Sequence, residues 1–235
     1  MNERVLPEQH HDHRDVTGGW LRPAVFGVMD GLVSNTALIA GVAGGGAPPH
    51  TVALAGLAGL VAGAFSMATG EYVSVASQAE LARAEIEVEK AEIARVPEAE
   101  EAELAEIFRA RGVTSDVARE IARQLSRDPE QVWRVHAREE LGLDPDDLPS
   151  AWTAAASSFA AFTAGAAVPL LPYVLGATAL VVPLLLALLA LFLAGATVSR
   201  WTDRGALYSG GRQLLLGTVA AALTYAVGSA VGAGV

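Results

Sequence analysis

The 235 residues include no cysteine. A disulfide and a thiolate metal ligand are therefore both excluded, and any metal must be held by carboxylate, imidazole or thioether. Charge is missing from long stretches. Between Pro23 and Gly46 the only charged residue is Asp30, between Thr51 and Ala79 it is Glu71, and Ala151–Ser199 and Gln213–Val235 have none. Apolar runs of about 20 residues are long enough to cross a bilayer. The 49 residues from Ala151 to Ser199 are too long for a single crossing, and the PLLPYVLG segment, Pro169 to Gly176, offers a turn between two. Five spans follow, in an all-α integral membrane protein. The first 22 residues are polar and the apolar run behind them is too long for a secretory signal, so no leader is expected to be removed. Proline is absent from Thr51 to Val96, which predicts that the second span continues as one helix far beyond the membrane before Arg95-Val96-Pro97 ends it.

What charge there is lies in blocks. Residues 78–150 hold 19 acids and ten bases, a net of -9 out of -10 for the whole chain. An acidic surface of this kind disfavours nucleic acid and anionic headgroups and favours cations. Arginine and lysine occur before the first span (Arg4, Arg14, Arg22), between spans two and three, and between four and five (Arg200, Arg204, Arg212). The positive-inside rule then makes those segments cytoplasmic and leaves the C-terminus outside or lumenal. The expected organisation is a cytoplasmic tail at 1–21, two spans at 22–77, an acidic helical insert at 78–149 and three spans at 150–235. Within the insert, helices are expected at about Glu98–Arg111, from a Thr114 or Ser115 cap to Ser126, and from Asp128 to near Gly142. One lysine against 15 arginines reads as a base-composition bias and favours a bacterial cell membrane over a vacuolar one.

Asp30 lies deep in the first span, where a carboxylate costs roughly 2.5–3.5 kcal/mol; the bland reading ties it to Ser34 or Asn35, the functional one makes it a cation or proton site. Met67 and Glu71 are four residues apart near the cytoplasmic end of the second span and share a helix face. A thioether with carboxylates suits a transition metal of intermediate softness such as Fe2+, with Mn2+ also open. In the insert, Glu85, Glu89 and Glu92 line one helix face, and Glu100, Glu103 and Glu106 line another across the Pro97 break. From Glu85 to Glu106 nine glutamates have only Lys90 and Arg95 as basic neighbours in sequence, and like charges at helical spacing repel. Both a metal site and a solvated face fit that pattern. His136, Glu139 and Glu140 on a later helix offer further ligands, and His10, His11 and His13 form a tail cluster. The small-residue pairs Gly27/Gly31, Gly59/Gly63 and Gly228/Gly232 suit close helix packing, either within one subunit or across a dimer.

The segments VFGVMDGLVSNTALIAG, SMATGEYVSVASQAELARAEIEVEKAEI, ELGL (Glu140–Leu143) and PLLPY resemble the vacuolar iron transporter family over nearly the whole chain from Gly19 onward. The resemblance implies a five-span homodimer with the ion path at the subunit interface, exchanging cytoplasmic Fe2+ for protons, with Mn2+ as a second substrate and no organic cofactor. It carries Asp30 and Met67, with Glu71 close by, to the family's membrane metal site. Glu89, Glu92, Glu100, Glu103 and Glu140 are carried to its cytoplasmic metal-binding domain. His136 and Ala137 stand where relatives can have adjacent methionines, so an imidazole replaces a thioether and opens selectivity toward Zn2+ or Co2+. Two other function classes compete. A membrane-anchored ferroxidase of the di-iron type wants two Glu-x-x-His pairs, and the only such spacing is Glu8 to His11; an acidic scaffold for a protein partner leaves Asp30 unexplained.

Overall fold

The computed structural model describes residues 19–201 and 204–234; the His10, His11 and His13 cluster, the Glu8–His11 pair, Arg4 and Arg14 lie outside them. Among the described residues, eight α-helices run in the order α1 (Leu21–Gly44), α2 (Pro49–Arg95), α3 (Pro97–Ala110), α4 (Ser115–Leu125), α5 (Pro129–Glu139), α6 (Ala151–Val174), α7 (Val181–Val198) and α8 (Ala206–Gly232), with one 3-10 turn at Ser199–Trp201. No strand occurs among the described residues. Helices α1, α2, α6, α7 and α8 are long and apolar enough to cross a membrane.

Helix α2 has 47 residues, about 70 Å at ~1.5 Å each, against a hydrocarbon thickness of about 30 Å. More than half of it must therefore project out of the bilayer. It ends where the sequence requires: the ring of Pro97 pushes the residue before it out of the helical region, and Val96 lies at φ -137, ψ 55. Pro97 then occupies the first turn of α3, where its missing N–H is no loss.

The turn expected within Pro169–Gly176 falls at the end of that segment, at Leu175 and Gly176. Pro169 and Pro172 both lie inside α6, and the helix closes at Gly176, whose φ is +97. Gly176 N–H donates to Tyr173 O (3.1 Å) and Ala177 N–H to Pro172 O (2.8 Å), the Schellman pattern that needs a left-handed residue. Prolines persist in membrane helices because neighbouring helices compensate the lost hydrogen bonds, and here α6 is packed against α1 and α2.

The packing is backbone to backbone. A Cβ on Gly31 would overlap the Phe162 carbonyl, and one on Gly165 the Val28 carbonyl, so α1 and α6 meet through their glycines. Gly228 and Gly232 face Gly41 and Gly45 in the same way, while Gly59 and Gly63 face Leu38 and the Phe162 ring. All three small-residue pairs thus serve contacts inside one subunit.

Helices α3, α4 and α5 form a small cluster with Leu104, Ala105 and Ala122 at its centre and Phe108, Leu125 and Val135 around them. Thr114 has the extended dihedrals of an N-cap but makes no side-chain capping bond. Asp128 does cap α5, accepting from Glu130 N–H at 2.9 Å. Helix α5 stops at Glu139, three residues short of Gly142. Arg134 and Arg138 reach forward to Asp146 and Asp144, drawing the DPDD segment back along α5 where a longer helix would run.

Candidate metal centres

Asp30, from the middle of α1, and Met67, from α2, line one cavity of about 250 Å³ with Ser34, Asn35 and Ser66. It is roofed by the Phe162 ring and left open by Gly59 and Gly63. Neither neighbour proposed for the Asp30 carboxylate is spent on it. Ser34 donates its hydroxyl to the Asp30 backbone carbonyl (2.6 Å), and Asn35 donates its amide to the Ala166 carbonyl (2.6 Å). Met67 also packs on Phe162 and Ala166, so the thioether is both core and cavity wall. Glu71 is half-buried, one turn further along α2, and is not part of the lining.

The second centre lies where α2, α3 and α5 converge. Pro97 folds α3 back so that the middle glutamate of one triplet and the first of the other, Glu89 and Glu100, come together, and α5 inserts His136 between them. One donor atom from each of the three lies within 4.8 Å of the others. His136 is fully buried, and Glu89 and Glu100 are 5% and 8% exposed. His136 Nδ1 is 2.9 Å from Glu89 Oε1, 3.7 Å from Glu140 Oε2 and 3.9 Å from Glu100 Oε2. Yet neither ring nitrogen, nor Glu89 Oε1, makes a hydrogen bond among the described residues. Donors about 2.1 Å from one ion and at right angles to each other are about 3 Å apart, so the separations leave room for an ion where hydrogen bonds are missing.

The electrostatics agree. Burial first, and then Glu140, Glu100, Glu92 and Glu103, raise the Glu89 carboxyl from its ordinary 4.5 to about 7. Glu100 is raised by burial and then by Glu103, against a lowering influence of His136. Five carboxylates and an imidazole thus surround one spot that without a cation pushes protons back onto its acids.

Glu85 is exposed, while Glu106 pairs with Arg109 at 2.5 Å and Glu139 pairs with Arg111; these outer acids are turned to solvent or to arginine. Glu92 also reaches Arg95 at 3.6 Å. One feature is invisible at the level of sequence. Lys90 Nζ of α2 lies 4.3 Å from the ring centre of Trp133, tying α5 to α2 one turn from His136, and the guanidinium of Arg134, Trp133's neighbour on α5, lies 4.7 Å from the same centre. Its partners are 43 residues apart in the chain, and only the hairpin joins them.

The sequence profile of the VIT family matches residues 21–229. The chain is 33% identical to vacuolar iron transporter 1 of Eucalyptus grandis, with 97% of this chain and 93% of the relative covered. It is 34% identical to vacuolar iron transporter 1 of Oryza sativa subsp. japonica, covering 98% and 94%. A vacuolar iron transporter of Acanthamoeba castellanii is 41% identical over 66% of this chain and 56% of its own length.

Proposed function

Since this chain belongs to the VIT family, whose members are transporters, we propose that it exports Fe2+ from the cytosol in exchange for protons. The observation that carries this reading is the shared cavity of Asp30 and Met67 inside the apolar helices. A carboxylate supplies charge for a divalent ion there, and a thioether favours one softer than calcium or magnesium. Mn2+ is a second substrate on this reading, and the imidazole of His136 widens the range toward Zn2+ and Co2+.

The glutamate and histidine centre collects metal at the cytoplasmic mouth, where arginine-bearing segments set the orientation. The ion then passes along α2 to Asp30 and Met67, with Glu71 one turn away as the entry carboxylate. Proton and metal compete for the same oxygens, so protonation from the far side releases the ion, and the direction is out of the cytosol in a bacterial as in a vacuolar membrane. Assembly as a homodimer belongs to the same reading; the exposed Leu54, Leu57, Val61 and Phe65 of α2 are available to lipid or to a second copy.

The test is Fe2+ uptake into proteoliposomes with and without an imposed pH gradient, comparing wild type, Asp30→Ala and the Glu89, Glu92, Glu100, Glu103 quadruple alanine variant. Gradient-stimulated uptake should vanish in the first and persist weakly in the last. Uptake by Asp30→Ala at the wild-type rate would sink the membrane site, and indifference of the wild type to the gradient would sink the exchange.

A further inference from the structure

We infer that Asn35 supplies the membrane cavity with a third ion ligand, its neutral side-chain oxygen Oδ1. This rests on the reading of the Asp30 and Met67 cavity as the ion path.

Asn35 is 2% exposed and lines that cavity. Its amide nitrogen donates to the Ala166 carbonyl of α6 at 2.6 Å. A carbonyl only accepts, so the NH2 end of the side chain must face Ala166 and Oδ1 must face the other way. That way is toward α2: a Cβ on Gly59 would stand 3.0 Å from Oδ1, and Gly59 is itself part of the lining. Oδ1 has no hydrogen-bond donor among the described residues. A buried acceptor left without a donor is destabilising, and an ion or a water entering the cavity would relieve it.

The chemistry of that partner follows from the wall. It offers one carboxylate, one thioether and one amide oxygen beside the hydroxyls of Ser34 and Ser66, a donor set that suits a divalent cation. The amide oxygen adds a hard ligand without adding charge. A carboxylate in place of Asn35 would hold a divalent ion more firmly than the neutral oxygen does, so the amide leaves the ion freer to move on. The bond to Ala166 fixes the oxygen in place before the ion arrives. A side chain at Gly59 would press on Leu38 and also narrow the approach to Oδ1.

Two variants separate a ligand from a helix tie. Asn35→Leu removes the oxygen and the α1–α6 bond together, whereas Gly59→Ala crowds Oδ1 and leaves the bond to Ala166 intact. Uptake of Mn2+ and of Co2+ is measured in proteoliposomes of the full-length protein, with Asp30→Ala alongside and melting temperatures recorded for each. Both variants should raise KM for Mn2+ by about tenfold, and by less for Co2+, because the ligand lost is a hard oxygen. An unchanged KM and an unchanged Mn2+ to Co2+ preference in Gly59→Ala and Asn35→Leu, with Asp30→Ala inactive, overturns the inference and leaves the proposed transport standing. If Asn35→Leu does not reconstitute, Gly59→Ala decides alone. Wild-type transport by Asp30→Ala would instead remove the ion path and this ligand with it.

Discussion

The two candidate metal centres are built to opposite specifications. In the membrane cavity one carboxylate, one thioether and one amide stand apart on two helices, around about 250 Å³ of space. At the convergence of α2, α3 and α5, an imidazole and two glutamates are packed within 4.8 Å with further acids around them. Desolvation explains the difference. In hydrocarbon each added charge costs several kcal/mol, so a site there can keep few ligands and must bind loosely. Outside it, Glu103 and Glu140 keep contact with water and Glu92 reaches Arg95, so the second site can gather more acids around the buried Glu89, Glu100 and His136. A sparse, weak site suits passage and a dense one suits capture.

The sharpest way to break this contrast is Asp30→Asn, which removes the carboxylate each chain gives to the membrane cavity while keeping its shape. Transport should fall by about 100-fold or more, with metal binding at the outer centre unchanged by calorimetry on the purified protein. Next in size is His136→Ala, for which Mn2+ or Co2+ affinity should drop by about 10–100-fold while transport at saturating metal persists. His136→Met, restoring a thioether, should recover affinity for Co2+ better than for Mn2+. Equal loss of maximal transport in Asp30→Asn and His136→Ala would erase the division of labour.

A subtler difference lies in pH. Glu89 holds its proton up to about pH 7 in the fold, against an ordinary value of 4.5. Between those values the folded chain keeps a proton that the unfolded chain has released. The metal-free protein should therefore lose stability as pH rises through that window, and metal affinity should rise as the carboxylate ionises. Thermal melts from pH 5 to about pH 8 should show the fall, added Mn2+ should reverse it, and Glu89→Gln should flatten both trends. The smallest effect is expected for Lys90→Met, which breaks one half of the cation stack on Trp133. About 0.5–1 kcal/mol of stability should be lost, with a slight weakening of metal affinity as α5 loosens; a large fall in affinity would make the stack part of the site.

Much of this was legible beforehand because its causes are local. The blocks of charge-free residues marked the five long apolar helices, and the missing prolines before Pro97 set the length and end of α2. Where local rules compete with neighbours, reading fails. Pro169 and Pro172 suggested that the turn begins there, yet α6 runs through both, packed against α1 and α2. The extension of α5 to Gly142 looked reasonable until Arg134 and Arg138 found Asp144 and Asp146. The glutamate triplets announced a charged face, but not that Glu89 and Glu100 would be buried while Glu85 and Glu106 stay outside.

By itself, the sequence determined which segments can enter a bilayer, which carry charge, and that a metal here meets oxygen, imidazole or thioether, since these are properties of residue types and their spacing. Only the tertiary structure decided which donors lie close enough to share an ion. It brought His136 between two glutamates 36 and 47 residues before it, and it tied the Asn35 amide nitrogen to the Ala166 carbonyl of α6. Helix period fixes a side chain's direction relative to its own axis, whereas convergence on a common point depends on how the helices cross, and that is set by packing across the whole molecule.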